Sequence, residues 1–374
     1  MHLPNNQHID TKSLNLVFKN TTSTYKFYWF YSILQMIENN RLETTQQELI
    51  ASMIGNVWFS ISKYRLSFGA QDKLANIVDA ITNSEDELLN FETKTTRQKI
   101  ITGILVFLEE HPKTTLAKNI LSLNTYVPYR FLRPWCEDIL KHTKSSHFEK
   151  VVKNYASDID ETKDLPYFFE KGKIIFHPKW VEYFRTHLKV CKDYCLWNLL
   201  LFLQKRNPNV PNIAEKLFAP NPKNRTLTAE WKYWKMVYQE TQTPLRCIFS
   251  DELIKIKDYA LDHFIPWSFV THDLLWNLIP IIPGVNSSKS DHLPNLDLYF
   301  KKFGAIQFEA FHIGVQLNKK KKLEDYLVLG NSIKDISRLS KNDFIQKLDN
   351  QIQPLAQIAQ NMGFRSNWVY QTKP

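Results

Sequence analysis

The chain has 374 residues, with 48 Lys and Arg against 38 Asp and Glu and a formal net charge of +10. Its length suggests two domains or one large one, and 43% hydrophobic residues argue against disorder along most of the chain. Only 9 glycines disfavour folds that bind nucleotides with Gly-rich loops, and 4 scattered cysteines disfavour a disulfide framework.

The hydropathy pattern predicts a protein of the cytoplasm. No basic stretch followed by an apolar stretch opens the sequence, so no signal peptide is predicted. The longest strongly apolar run, near residues 196–203, is less than half of the roughly 20 residues that span a membrane. We therefore expect reduced thiols and no membrane partner.

The positive charge is concentrated in the middle of the sequence. Residues 1–90 carry 7 basic and 9 acidic side chains, residues 91–240 carry 25 and 16, and residues 241–374 carry 16 and 13. A basic surface attracts polyanions, which makes nucleic acid the first partner to consider. Charge spread over solvated helix faces would only favour solubility. The run of lysines at 319–322 leaves the same choice between a phosphate contact and a solvated helix start.

The elements between the N-terminus and residue 240 are predicted to be mainly helical. Apolar residues recur at helical spacing, and Ser84 or Thr82 could cap one of the shorter segments. We see no period-2 alternation among these N-terminal segments, so we expect a helical N-terminal domain. The predicted helices cover residues 24–38, 46–64, 85–90, 97–110, 179–205 and 228–240.

Two features interrupt this helical pattern. Residues 167–177 contain two apolar runs around Glu170-Lys171-Gly172-Lys173, which is typical of a β-hairpin with Gly in its turn. Pro220-Asn221-Pro222 is typical of a loop and predicts a domain boundary.

Residues 258–295 are the most informative part of the sequence and read DYALDHFIPWSFVTHDLLWNLIPIIPGVNSSKSDHLPN. Apolar residues predict a strand at 259–264, stopped by Pro266, and a second strand at 277–282. A Pro-Gly turn then leads into a short helix that begins near Asn286 or Ser287. The predicted order is strand, loop, strand, helix.

This segment resembles the HNH, or ββα-metal, nuclease motif. It is similar to the His-Asn-Asn form found in the HNH domain of RNA-guided CRISPR effector nucleases. The resemblance covers 38 of the 374 residues, about a tenth of the chain. It is carried by Asp262, His263, Ile265, Pro266, Ser268, Phe269, Asn277, Asn286, Lys289, Ser290, Asp291 and Pro294.

Phosphodiester hydrolysis explains these residue types. His263 suits the general base, because a histidine with the ordinary pKa of about 6.5 is largely neutral at cellular pH. Asp262 and Asn286 offer the oxygen ligands that Mg²⁺ or Mn²⁺ prefers. The resemblance assigns Asn277 to bracing the loop that carries His263. Lys289, one helical turn after Asn286, could contact a phosphate or stabilise the charge of the transition state.

Two features of the segment bear on these assignments. Adjacent strand residues point to opposite faces, so Asp262 and His263 can share a site only where the strand ends or is distorted. Each residue taken alone would be an ordinary structural residue, whereas together they favour a catalytic site. His272, Asp273 and His292 receive no catalytic role and are assigned to a loop or helix surface.

The sequence disfavours a structural zinc. Many HNH proteins bind one through paired Cys-x-x-Cys motifs, but Cys247-Ile248-Phe249-Ser250 keeps a single cysteine and no second pair follows. Neighbouring helices must then supply the stability that the metal would give. Asn286, where some relatives have His, favours an oxygen-liganded Mg²⁺ site.

We therefore expect a mainly α protein with a small ββα-metal (HNH) nuclease module, α+β overall. Residues 1–225 are predicted to form a helical domain for DNA or partner recognition, and residues 226–374 the nuclease domain. Further helices are predicted near 296–303, 323–329 and 343–362.

The predicted function is that of a metal-dependent HNH endonuclease that cuts DNA in restriction or anti-phage defence. A regulatory protein or a second copy of the chain is a candidate partner. Two alternatives stay open: a catalytically silent DNA-binding or scaffold protein, and an RNA-cutting toxin that uses the same site.

Overall fold

The computed structural model describes residues 2–92, 95–218 and 226–371. The chain divides into two compact units, Met1–Pro208 with Lys216–Pro220 and Asn209–Glu215 with Asn221–Pro374. The loop predicted at Pro220-Asn221-Pro222 lies outside the described residues. Among the described helices, none is long and apolar enough to cross a membrane.

The first unit is built mainly from helices, as its apolar periodicity predicted. Polar N-caps set several starts; Thr45, for example, forms a reciprocal capping box with Glu48 at the start of α3. The helices are α1 (Thr11–Leu16), α2 (Tyr25–Glu38), α3 (Gln46–Ser62), α4 (Leu74–Thr82), α5 (Arg97–Glu110), α6 (Thr115–Leu121), α7 (Val127–Leu132), α8 (Glu137–Leu140), α9 (Phe148–Ser157), α10 (Pro178–Thr186) and α11 (Leu188–Gln204). A further helix, α12 (Ile213–Phe218), follows α11 in the chain.

Helix α3 is a central element of this unit, because 12 of its 17 residues are buried and most of these are apolar. It packs against α2, α4 and α5. At Gly55 the backbone of α3 approaches α5 so closely that a Cβ atom would lie 2.8 Å from a side-chain carbon of Ile101. Glycine is therefore required there by the helix contact.

The predicted hairpin is confirmed. Strands β2 (Tyr167–Glu170) and β3 (Lys173–Phe176) pair antiparallel with Glu170 opposite Lys173. Lys171 and Gly172 have φ values of 45° and 83°, which suits the tight two-residue turn between right-twisted strands. A third strand, β1 (Glu43–Thr45), pairs with the other edge of β3. A strand of three residues is too short to show an alternating pattern, so β1 was not predicted from the sequence.

Two helix predictions in the first unit are wrong in detail. Residues 87–89 form only a 3₁₀ turn, which Asp86 caps, and the helix of this region lies earlier as α4. The buried residues of α4, Leu74, Ile77, Val78 and Ile81, follow helical spacing that the prediction overlooked. The single helix predicted at 179–205 is two helices that meet at His187.

The second unit contains seven further helices among its described residues. The unit also has a two-stranded antiparallel sheet, formed by β4 and β5. In chain order the elements are α13 (Thr228–Glu240), β4 (Ala260–His263), α14 (Trp267–Val270), β5 (Leu278–Ile281), α15 (Pro283–Lys289), α16 (Leu296–Gln316), α17 (Lys320–Leu323), α18 (Ile333–Ser337) and α19 (Lys341–Asn361). The lysine run at 319–322 therefore opens a short helix.

Helix α16 supports the small sheet from one side. The buried amide of Gln307 donates a hydrogen bond to the backbone carbonyl of Leu278 at 2.6 Å, and accepts one from the Tyr326 hydroxyl at 2.7 Å. The ring of Phe303 stacks on Phe264, with 4.1 Å between their centroids. These contacts fix the ends of β4 and β5 where the candidate site residues lie.

Candidate active site

The antiparallel pair β4–β5 places Asp262 and His263 at the end of a strand. Asp262 lies opposite Ile279 and His263 opposite Leu278, and the strand ends at His263. Both side chains are almost completely buried. All four residues of β5 are buried too, so this hairpin is a rigid support for the residues that follow it.

Asp262 forms a buried ion pair with Lys289, the last residue of α15. The Nζ atom of Lys289 lies 3.1 Å from Oδ1 and 3.0 Å from Oδ2 of Asp262, and it also donates to the backbone carbonyl of His263 at 2.8 Å. Burial raises the pKa of the Asp262 carboxyl, while the charge of Lys289 opposes that rise. Lys289 thus ties α15 to the strand end and is fully buried itself.

Asp273 gives His263 a carboxylate partner. The Nε2 atom of His263 lies 2.8 Å from Oδ1 of Asp273, which is 27% exposed. An imidazole that donates Nε2–H to a carboxylate has its lone pair on Nδ1. A carboxylate at this distance favours the tautomer with the proton on Nε2 and restrains the ring of His263. The sequence predicts only a loop-surface position for Asp273, so this pairing was not predicted.

Nothing in the local spacing marked Asp273 as a partner of His263. It follows the short helix α14, after Thr271 with a left-handed φ of 50°. This turn reverses the chain and returns it to the strand end ten residues after His263. A polar Thr-His-Asp run inside an otherwise apolar segment is the one signal in the sequence that could have indicated a functional loop.

Asn277 is fully buried and joins two parts of the backbone. Its Oδ1 accepts a hydrogen bond from the Ile265 N–H at 2.8 Å, and its Nδ2 donates to the Ile265 carbonyl at 2.9 Å. Its own backbone carbonyl accepts from the Phe264 N–H at 2.8 Å. These three bonds hold the segment that leaves His263, which is the geometry that a bracing residue needs.

Replacing Asn277 with Ala is expected to destabilise the second unit. The change leaves a buried N–H and a buried carbonyl without their partners, which costs roughly 2–6 kcal/mol at about 1–3 kcal/mol for each group. Urea unfolding measures the loss. Asn350→Ala, at an exposed position of α19, is the matched control and should change stability by about 0.5 kcal/mol or less. Equal stability of the two variants would contradict a bracing role.

Asn286 lies on the face of α15 that packs against β4. Residues three apart on a helix share a face, and Lys289, three residues later, contacts Asp262 directly. Asn286 is half-exposed, unlike its buried neighbours Val285 and Lys289. Asn286 therefore lies one helical turn before the lysine that contacts Asp262, at a more exposed position of the same helix.

The residues present fit a hard divalent cation. Oδ2 of Asp262 is buried and accepts no well-formed hydrogen bond from the described part of the chain, although the Lys289 ammonium lies beside it. Asp262 offers a carboxylate and Asn286 an amide oxygen, and these are donor types that suit Mg²⁺. No cluster of three or more His, Cys, Asp or Glu occurs among the described residues, and a site of this composition does not require one.

Apolar packing occupies the place of the incomplete cysteine motif. Residues 247–252 form a tight turn in which the Cys247 N–H donates to the Glu252 carbonyl at 2.9 Å. The ring of Phe249 packs edge-on against Tyr299 and Trp368, with centroid distances of 4.8 and 5.2 Å. Trp368 belongs to a C-terminal segment that pairs with Pro294. Aromatic contacts therefore link this turn to α16 and to the end of the motif.

Comparison with protein families agrees with this geometry. Residues 247–295 match the family model described as HNH endonuclease. The match begins at the Cys247 turn and ends just before α16, so it includes β4, β5 and α15. It also includes Asp273 and Lys289, whose side chains contact His263 and Asp262. No curated protein and no solved structure matches the chain. The second unit of this chain therefore carries a segment that matches the HNH endonuclease model, as the motif predicted, and the match suggests nuclease activity in general.

Proposed function

We propose that the protein is a metal-dependent endonuclease that hydrolyses DNA phosphodiester bonds with His263 as the general base. The observation that carries the proposal is the His263–Asp273 pair, 2.8 Å apart, at the end of the strand that also holds the Asp262–Lys289 pair. A paired histidine next to a buried carboxylate combines a base with a cation site. A base activates the attacking water, and a cation stabilises the charge that develops when a phosphodiester is cut.

His263 acts on the attacking water. With Nε2–H donated to Asp273, the lone pair of Nδ1 accepts a proton from the water as its oxygen attacks phosphorus. The carboxylate of Asp273 then stabilises the imidazolium that forms, and it holds the ring in one orientation throughout. Asn277 keeps the strand end, and therefore the imidazole, at a fixed position through its bonds to Ile265.

Asp262 and Asn286 are the residues that would hold a divalent cation. When bound, Mg²⁺ or Mn²⁺ supplies positive charge that stabilises the developing charge on the phosphate and on the leaving oxygen. The charge of Lys289 opposes the rise that burial causes in the pKa of Asp262, and its ammonium group fixes the position of that carboxylate. Because Lys289 is fully buried, we assign it this positioning role in place of the phosphate contact suggested by the sequence.

DNA is the substrate that we favour, with support from family and charge. The HNH family model and the net charge of +10 both suit a polyanionic substrate. We extend the proposal to restriction or anti-phage defence, because an unrestrained DNA nuclease would damage its own cell. Indiscriminate cutting of host-type DNA by the purified protein alone would contradict that extension.

The decisive experiment is a plasmid cleavage assay. Supercoiled plasmid is incubated with the protein in Mg²⁺, in Mn²⁺ and in EDTA, and labelled RNA is tested in parallel. We expect nicked or linear plasmid only with metal, and no product from the His263→Ala variant. His142→Ala, which removes an exposed histidine of the first unit, is the matched control and should cut like the parent.

Three results would contradict the proposal. Cutting that persists in His263→Ala would exclude that residue as the base. Faster cleavage of RNA than of DNA would support the toxin alternative. Salt-sensitive DNA binding without cleavage under any metal would support a binding protein that keeps the fold of the motif.

A further inference from the structure

A basic cavity lies in the first unit, within a different part of the chain from the nuclease motif. Its volume is about 720 Å³, and it is formed by the segment before α2, the segment before α4, the chain around α7 and the start of α9. Cavities that bind small molecules commonly measure about 300–1,000 Å³. The cavity is therefore large enough for one small ligand, whereas a DNA duplex needs an open surface.

The lining of this cavity carries an excess of positive charge. Lys19, Lys26, Lys73, Arg130 and Arg133 line it, against a single acidic residue, Glu149. Glu149 is paired with Arg130 at 2.7 Å. The other four cations have no carboxylate within salt-bridge distance in the described parts of the chain. Four positively charged side chains therefore line one cavity without a carboxylate partner in the described residues.

The environment of Lys26 is unfavourable for its positive charge. Its Nζ atom donates to the backbone carbonyls of Val17 at 3.1 Å and Asn20 at 3.4 Å. Burial, followed by repulsion from Arg133 and Arg130, lowers the pKa of Lys26 to about 8. An anion bound between these groups would relieve the repulsion and replace lost hydration with charge-assisted hydrogen bonds.

Aromatic rings hold the two guanidinium groups in place. Arg130 lies over the ring of Tyr126 and Arg133 over the ring of Phe148, each 4.4 Å from the ring centroid. Both rings line the cavity, and Tyr126 is 50% exposed. The site therefore combines fixed cations, which suit phosphate oxygens, with exposed aromatic surface, which suits a planar base.

We propose that this cavity binds a nucleotide, with its phosphates on the Lys26 and Arg133 side and its base against Tyr126. The nucleotide is either free or the phosphorylated end of a nucleic acid strand, because both present the same chemistry. The inference goes beyond the nuclease proposal and does not depend on it. It gives the helical first unit a ligand that a Gly-poor sequence did not predict.

Calorimetric titration of the 374-residue chain tests the proposal. The probes are ATP, inorganic triphosphate and adenosine, all in EDTA so that no metal-dependent cleavage occurs. We expect ATP to bind more tightly than either fragment, because only ATP uses both the cations and the aromatic surface. A tetrathymidylate with a 5′-phosphate, compared with its unphosphorylated form, tests the strand-end source.

Matched variants separate a built site from net charge. Lys19→Gln/Lys73→Gln/Arg133→Gln removes three exposed cavity charges and is expected to weaken ATP at least about 10-fold. Lys118→Gln/Lys179→Gln/Lys189→Gln removes three exposed charges elsewhere in this unit and should leave ATP binding within about 3-fold. Tyr126→Ala is expected to weaken the binding of ATP but not the binding of inorganic triphosphate.

Two outcomes would overturn the proposal. One is that neither ATP nor the phosphorylated oligonucleotide binds to the parent protein at millimolar concentration. The other is an equal loss of ATP affinity in the cavity variant and in the charge-matched control. That result would show that ATP responds only to the net charge of the protein. Circular dichroism of both triple variants establishes that each is folded before the comparison is made.

Discussion

Substitutions that disrupt the His263–Asp273 pair should slow DNA cleavage more than any other substitution at this site. Alanine at position 263 removes the general base, which contributes about 10²–10⁴-fold in typical enzymes. Asparagine at position 273 keeps the size of the side chain but can offer an N–H to Nε2 of His263. The imidazole would then adopt the other tautomer and lose its lone pair at Nδ1. In buried pairs that change costs up to about 10⁴-fold.

Single-turnover nicking rates at saturating Mg²⁺ measure both effects. Because Asp273 is 27% exposed, we expect Asp273→Asn to lose somewhat less than His263→Ala, about 10²-fold or more. Asp273→Glu restores a carboxylate and should recover part of the rate, a rescue that a merely structural role would not show. Asp273→Asn with the rate of the parent protein would remove Asp273 from the mechanism.

Replacing Lys289 with Met should destabilise the second unit more than any surface substitution. The change leaves the buried Asp262 carboxylate without its ammonium partner, and breaking such a pair costs about 3–5 kcal/mol. Adding Asp262→Asn to this variant removes the uncompensated charge and should recover a large part of the lost stability. The free energy of unfolding in urea, followed by tryptophan fluorescence, measures each step.

Lys302→Met provides the control for this prediction. Lys302 is 55% exposed and its ion pair with Asp251 spans 3.4 Å at the surface, so the same substitution should cost about 1 kcal/mol or less. A loss at Lys289 as small as the loss at Lys302 would show that the Asp262 carboxylate does not depend on this lysine. It would also contradict the positioning role that we propose for Lys289.

The elements of the fold were predictable where the sequence carries a long periodic pattern. Helices α2, α3, α5, α13 and α19 follow apolar repeats of more than ten residues, and all lie within a few residues of their predicted bounds. The hairpin of β2 and β3 was predictable because Gly172 permits the turn. Strand β1 was not, since three residues pair with β3 across more than a hundred positions of sequence.

The candidate site divides in the same way. The order of Asp262, His263, Asn277, Asn286 and Lys289 was sufficient to recognise the motif, because residue types at fixed separations are a property of the sequence itself. The strand–strand–helix order around them was predicted for the same reason, since each element is marked by its own residues.

Contacts between side chains were decided only by the tertiary structure. The pairing of Asp273 with His263 depends on the turn at Thr271, and the cationic cavity gathers residues from four separate parts of the first unit. Burial of Lys289 against Asp262 likewise depends on how α15 packs on β4. The sequence specifies local conformation and residue order, whereas distances, burial and the resulting electrostatics follow from packing between segments that are far apart in the chain.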